Sequence, residues 1–129
     1  MTEEKQKIVR EYLKNLEVGD ADRMLRLFSK DAVVVSPLRG TIDATKFYED
    51  LFSDTTSSKI HLKNILFGEN PQIVAGHFQY DWILSDGTSA TFECIDLFEF
   101  NDKKLITKLI IIYDTHQIRE KYEKVRTTR

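Results

Sequence analysis

Between Lys59 and Asp114 the chain has room for four long strands and little else. Lys59 to Phe67, Gln72 to Leu84, Thr88 to Phe100 and Lys104 to Asp114 are rich in β-branched and aromatic residues and alternate in polarity. Ser85-Asp86-Gly87 and Asn101-Asp102-Lys103 read as hairpin turns between them. Strands of this length joined this tightly form an antiparallel meander. Such a sheet buries one face only by curling around something else in the chain.

The N-terminal part supplies what it curls around. Glu3 to Val18 reads as a helix, with Ile8, Tyr12 and Leu16 stacked on one face and Val9 and Leu13 beside them. Glu3 and Glu4 sit in its first turn, where the helix dipole favours acids. Gly19 ends it, and Asp20 caps a second helix running to about Phe28, with Ala21, Met24, Leu25 and Phe28 inward. Asp31 to Ser36 is a valine-rich strand, and Pro37 keeps Ser36 extended. Asp43 caps a third helix whose apolar face is Phe47, Tyr48, Leu51 and Phe52. Asp54 to Ser58 is a loop by composition. A last helix spans His116 to Val125, with Ile118, Tyr122 and Val125 on one side. The expected fold is α+β: a cone-shaped, strongly curved, mostly antiparallel sheet on three N-terminal helices, closed at one end and open at the other. Pockets favour such mouths.

One residue resists explanation by packing. In Thr91 to Phe100, alternation places Phe92, Cys94, Asp96, Phe98 and Phe100 on one face. Thr91, Glu93, Ile95, Leu97 and Glu99 take the other. Asp96 therefore lies among phenylalanines, where a carboxylate is costly unless it is paired or protonated. Desolvation raises its pKa and readies it to donate a hydrogen bond. The alternative is a structural aspartate bonded to backbone or buried water. On the preceding strand, Phe78, Tyr80 and Trp82 form the inward set, so His77 and Asp81 point away from any cavity. His61 is a surface-strand residue. In the last strand Leu105, Leu109 and Ile111 alternate with Ile106, Ile110 and Ile112, so both faces are apolar. One packs on the helices, and the other calls for a second subunit in a sheet-to-sheet homodimer, the alternative being a monomer in which the C-terminal helix covers it.

Composition narrows the rest. A length of 129 residues with 41% hydrophobic residues suits one compact domain over residues 1–129. Nineteen basic against 21 acidic side chains give a net charge of −2, with no pull toward nucleic acid or an anionic membrane. The basic tail, Arg119, Lys121, Lys124, Arg126 and Arg129, is diluted by Glu120 and Glu123 and reads as a solvated helix face. The longest apolar run, Leu109 to Tyr113, is too short to cross a bilayer. The N-terminus lacks an apolar signal core and Cys94 is the only cysteine, so a cytoplasmic protein without an intrachain disulfide is expected. Three scattered histidines give no metal site. No glycine-rich phosphate loop follows a strand, so no nucleotide cofactor is implied. Cys94 reads as core filler rather than a nucleophile.

The run Tyr12 to Pro37 (YLKNLEVGDADRMLRLFSKDAVVVSP) resembles the opening of ketosteroid isomerase and the SnoaL-like polyketide cyclases, in the nuclear transport factor 2-like superfamily, with its cystatin-like fold. The Gly19-Asp20 break, Phe28 and the Asp31-Ala32-Val33 strand entry match that pattern, and Cys94 to Phe100 (CIDLFEF) resembles the isomerase strand carrying a buried aspartic acid. The isomerase pairs a tyrosine with a protonated aspartic acid as oxyanion hole, while a second aspartate shuttles the proton. The resemblance assigns the tyrosine to Tyr12 and the protonated acid to Asp96. The shuttling aspartate belongs just before the proline of the first strand, and there this chain has Ser36. An unactivated serine hydroxyl is not a competent base near neutral pH. SnoaL-like members can use a histidine or aspartate at the end of the last strand, which makes Asp114 the second candidate base. The implied pocket is apolar, lined by Phe28, Phe47, Tyr48, Leu51, Trp82, Phe92 and Phe98, with Ser36 on its wall. It would take a small hydrophobic molecule bearing a carbonyl or phenol. Proton transfer in an isomerase, cyclase or dehydratase is the first functional reading. Ligand binding without turnover and a protein-adaptor role are the alternatives.

Overall fold

The computed structural model describes residues 2–116 and 118–128. Arg129 of the basic tail lies outside them. Helix α1 (Thr2–Val18) is followed by α2 (Ala21–Leu25), β1 (Phe28–Ser36), β2 (Gly40–Asp43) and α3 (Ala44–Ser53). Then come β3 (Thr55–Phe67), β4 (Ile73–Leu84), β5 (Ser89–Phe100), β6 (Ile106–Ile112) and α4 (Arg119–Thr128). One six-stranded sheet runs β2-β1-β6-β5-β4-β3. Only the β1–β6 pair is parallel; the other neighbours are antiparallel. The fold is the α+β arrangement expected, with the N-terminal helices against a mostly antiparallel sheet.

Each helix starts where the local chemistry dictates. Asp20 and Asp43 cap α2 and α3, their carboxylates accepting from the amides of Arg23 and Lys46 at 3.2 Å. Gly19 takes a left-handed φ of 77° after α1, a conformation that costs a residue with a Cβ. The buried stripe of α1 is Val9, Tyr12, Leu13 and Leu16. Register shifts in β1, β3 and β5 bend the sheet around it.

Several boundaries differ from expectation. Helix α2 stops at Leu25, and Phe28 opens β1 instead of closing the helix. The carbonyl of Leu27 accepts from the Ile106 amide at 2.9 Å, so pairing with β6 takes the chain out of the helix. Residues 55–58, a loop by composition, belong to β3, because the long β4 offers a partner as far as Leu84. Trp82 Nε1 donates to Thr55 Oγ1 at 2.8 Å, and Ser58 and Tyr80 share a hydroxyl bond of 2.8 Å. Tertiary pairing outweighs turn composition here. The short edge strand β2 carries no alternation that would announce it. In β6, Ile106 is fully buried beside Leu109, because the register shift at Glu99/Phe100 swaps its face. The C-terminal helix buries Ile118, Tyr122 and Val125, as its periodicity implied. It packs Tyr122 near Trp82, with ring centroids 5.5 Å apart, and so does not cover the outer face of β6. No helix of the described residues is long and apolar enough to cross a membrane.

Gly76 sets the distance between α1 and the sheet. It lies opposite Asp96 on β4. A Cβ at this position would come within 3.3 Å of Val9 Cγ1 and 3.4 Å of Phe98 Cε1. Gly76→Val should therefore cost about 1–3 kcal/mol through overpacking, read as a lower midpoint in urea unfolding. A variant as stable as wild type would show that α1 does not bear on the sheet at this point.

Candidate functional site

Where α1 crosses β5, two side chains meet that the sequence separates by 84 positions: Tyr12 and Asp96. Tyr12 projects from the buried stripe of α1, its ring edge-on to Phe98 at 5.0 Å. Its hydroxyl lies 2.7 Å from that of Tyr48 on α3. Asp96 is 2% exposed, opposite Gly76 on one side and Ile111 on the other. Its Oδ1 accepts from the Cys94 thiol at 3.2 Å.

The electrostatics follow from burial. Desolvation pushes the Asp96 carboxyl up to about 7, and hydrogen bonding from Cys94 and Tyr12 holds it below where burial alone would put it. The same dry environment raises both tyrosines far above their ordinary range, with the Tyr12–Tyr48 pair adding to it for Tyr12. Both phenols stay neutral, while Asp96 is divided between its acid and carboxylate forms near neutral pH. Burial likewise raises the Cys94 thiol, with the neighbouring Asp96 adding to it, so the thiol is a hydrogen-bond donor and not a nucleophile.

A cavity of about 50 Å³ opens onto these groups. On a measure where roughly 10–15 Å³ accommodates one water, this suits a few waters or one small ring. Its wall includes Tyr12, Asp96, Ser36, Phe47, Leu51, Trp82 and Phe92 of the residues expected there. Phe78, Tyr80 and Cys94 also face it, as alternation along β4 and β5 implied.

Four expected site residues lie elsewhere. Phe28, Tyr48 and Phe98 are packed in the core behind Tyr12 and do not reach the cavity. Tyr48 acts at one remove, through its bond to Tyr12. Asp114 is exposed beyond the end of β6, off the cavity wall, and its carboxylate accepts from the His116 amide at 3.0 Å. Ser36 Oγ accepts from the Leu38 amide at 3.2 Å, closing the turn at Pro37. His77 and Asp81 point away from the cavity and bond to Glu93 and His61 on the outer face. Among the described residues, Asp96 is the one carboxyl on the cavity wall.

Sequence reasoning missed Arg39 and did not place Tyr113 and Tyr122 on the wall. Arg39 follows Pro37-Leu38 in a tight turn, where a basic residue ordinarily signals solvent. Only the pairing of Ser36 with Gly40 turns it back over the mouth. No group of three or more histidine, cysteine or acidic side chains suited to a metal ion occurs among the described residues.

The arrangement offers two hydrogen-bond donors, the Tyr12 hydroxyl and protonated Asp96, on the wall of a largely apolar space. Either hydroxyl of the Tyr12–Tyr48 pair can donate across their 2.7 Å bond; with Tyr48 as donor, the Tyr12 proton turns to Asp96 or, in its place, to a ligand oxygen, and such a relay strengthens the second bond.

The fold is shared with solved structures of low sequence identity. An epoxide hydrolase/cyclase-like enzyme, SalBIII, of pyran ring formation in the polyether salinomycin superimposes with a TM-score of 0.77 at 14% identity, covering 88% of this chain and 92% of that one. TerC, co-crystallised with polyporic acid, gives 0.75 at 16% identity over 92% and 98%. A protein of ketosteroid isomerase-like fold from Catenulispora acidiphila, in complex with trimethylamine, gives 0.72 at 13% over 83% and 85%. No curated protein matches the sequence. The profile of the SnoaL-like domain matches residues 9–108, most of the chain. The chain therefore belongs to the SnoaL-like domain family, and its fold is nuclear transport factor 2-like.

Proposed function

We propose that this chain binds a small hydrophobic molecule through a carbonyl or phenol oxygen held by Tyr12 and Asp96, and moves a proton next to that oxygen. The observation that carries this reading is the convergence of one neutral phenol and one carboxyl titrating near 7 on the wall of a single, largely apolar cavity. Two such donors stabilise charge developing on an enolate or phenolate oxygen. Distant neighbours that act as cyclase-like enzymes or bind small molecules support a pocket of this class.

The sign of the pH dependence follows from which form donates. Below about 7 Asp96 carries its proton and gives a hydrogen bond to the ligand oxygen; above it, the carboxylate repels that oxygen. Trp82, the only tryptophan, lines the cavity and reports occupancy. Titration of a small cyclic ketone, whose oxygen can only accept, followed by Trp82 fluorescence should give affinity that falls as pH rises through about 7. Asp96→Leu should weaken binding roughly tenfold or more and flatten the profile. A flat wild-type profile, or equal binding by the variant, would make Asp96 a structural residue.

A binding role without turnover is favoured by one detail. Ser36, at the position of the family's proton shuttle, spends its oxygen on the Leu38 amide. Exchange of the α-protons of a small cyclic ketone in D₂O separates the two readings. Enzymatic exchange should fall at least about tenfold in Tyr12→Phe, because one oxyanion donor is lost. Exchange no faster than buffer would leave binding alone, and equal rates in both proteins would remove Tyr12 from the mechanism.

We further propose that a second copy of this chain covers the outer face of the sheet. Ile95 and Ile112 lie opposite one another there, 38% and 48% exposed, beside the Leu97–Ile110 pair. An apolar face of this kind marks a contact surface. Sedimentation should show a dimer in wild type and a monomer in Ile112→Glu; a monomeric wild type at high micromolar concentration would refute it.

A further inference from the structure

The cavity is too small for more than the head of a ligand, yet it does not end at its own wall. Leu38, Arg39 and Tyr122 line it and also line an outer cleft of about 400 Å³, together with Glu123 and Arg126. These three residues are the partition between the two spaces. Among the described residues Arg39 is the one cation on the inner wall, as Asp96 is the one carboxyl.

The cationic side chains at this mouth are held in place. Arg39 Nη2 donates to Asp50 at 2.9 Å and Nη1 to the Tyr122 hydroxyl at 3.5 Å. Lys46 and Arg126 reach the same Asp50 carboxylate at 3.1 and 3.6 Å, and Arg126 also approaches Asp54 at 3.4 Å. Three cations thus share Asp50. A guanidinium has five N–H donors, more than the two bonds Arg39 makes here. Its side chain is 14% exposed, so a ligand anion beside it is partly shielded from water, where a charge-assisted bond counts for more. Glu123, on the cleft wall, lies 3.8 Å from Arg119 and faces part of its charge that way.

We infer that the ligand is an amphipathic acid: a neutral ring with its carbonyl or phenol at Tyr12 and Asp96, and a carboxylate at the mouth held by Arg39 and, farther out, Arg126. This rests on the reading of the Tyr12–Asp96 end given above and adds the chemistry of the other end. The two ends also fix orientation. A carboxylate inserted head first would be desolvated beside Tyr12 and the buried Asp96, neither of which is a cation, a costly burial for a charge. Turned the other way, the same group meets the arginines.

The test uses two probes that differ only at the far end: 4-ethylphenol and 3-(4-hydroxyphenyl)propionate, each titrated against the whole protein by Trp82 fluorescence. The acid should bind about tenfold tighter in wild type, and raised salt should shrink the ratio. In Arg39→Gln the ratio should collapse to within about twofold. In Arg126→Gln, on the solvent-facing helix, it should fall by about threefold and remain above one. Arg39→Lys, which keeps the charge but not the planar fork, should retain part of it. Equal affinity for both probes in wild type, or a ratio unchanged in both glutamine variants, would overturn the inference while leaving the Tyr12–Asp96 site standing. Absence of binding by either probe would overturn both. Should Arg39→Gln lose its cooperative melting transition, the wild-type ratio and Arg126→Gln decide the matter.

Discussion

The carboxyl of Asp96 is the constraint around which the rest of this structure is arranged. It sits 2% exposed on a strand whose inward neighbours are Cys94 and Phe98. Its folded pKa near 7 lies above the value near 3.9 of an unfolded chain. The folded state therefore holds the proton more tightly, and the fold is fully stable with respect to this group only below pH 4 or so. Stability is then lost as pH rises from about 4 to about 7, and the loss is constant above that, on the order of a few kcal/mol. A fold that carries such a group at neutral pH must recover the energy elsewhere. Here it does so through the aromatic cluster of Tyr12, Phe28, Phe47, Tyr48 and Phe98, and through the Ile and Leu positions of β6.

That cluster also decides which polar atoms face the cavity. Gly76 lets α1 approach the sheet, so Tyr12 reaches the level of Asp96 instead of standing off by the width of a side chain. Tyr48 and Phe98 then hold the Tyr12 ring from two directions, at 6.1 and 5.0 Å with near-perpendicular planes. Edge-to-face packing of this kind restricts the ring more than aliphatic contacts would. The hydroxyl of Tyr12 is thus fixed by residues that never touch the ligand space. At the opposite end, α4 lies against Trp82, and Arg119 Nη2 donates to the Pro37 carbonyl at 2.8 Å, so the helix is tied to the turn that carries Arg39.

Much of this was legible in the sequence, because period-2 alternation is a strong signal in long strands. It put Asp96 with Cys94 and the phenylalanines, and sent His77, Asp81 and the glutamates outward. Helix periodicity did the same for α1 and α3, and Asp20 and Asp43 marked the starts of α2 and α3. What stayed hidden depends on register or on contacts between distant segments. The shift at Glu99/Phe100 that turns Ile106 inward has no local signature. Phe28, Tyr48 and Phe98 look like lining residues because they are large and apolar. Whether such a ring ends at the cavity or one layer behind it depends on helix depth, which no spacing reports. Asp114 is a candidate only through the family resemblance, and it lies exposed two residues past the end of β6. Arg39 was invisible for the converse reason: its residue type and its turn both point to solvent, and only the hairpin Ser36–Gly40 folds it back.

The cavity's single carboxyl limits the chemistry available to it. Where two carboxyls share a site, one can stay protonated as a donor while the other accepts the proton, because their environments push their pKa values apart. With Asp96 alone on this wall, the same group cannot hold its proton to stabilise an oxyanion and also accept one from carbon in the same step. Tyr12, supported by Tyr48, has to carry the oxyanion whenever Asp96 is the base. Conversely, when Asp96 is the donor, the base must be water or an atom of the ligand itself. A ligand with its own carboxylate at the Arg39 end brings such an atom, but holds it on Arg39 and not at Tyr12. On the reading proposed above, this leaves proton transfer, through Asp96 with Tyr12 as the oxyanion donor or to water with both groups donating, or retention of the ligand unchanged. In both cases Tyr12 is the residue whose hydrogen bond the ligand oxygen cannot do without.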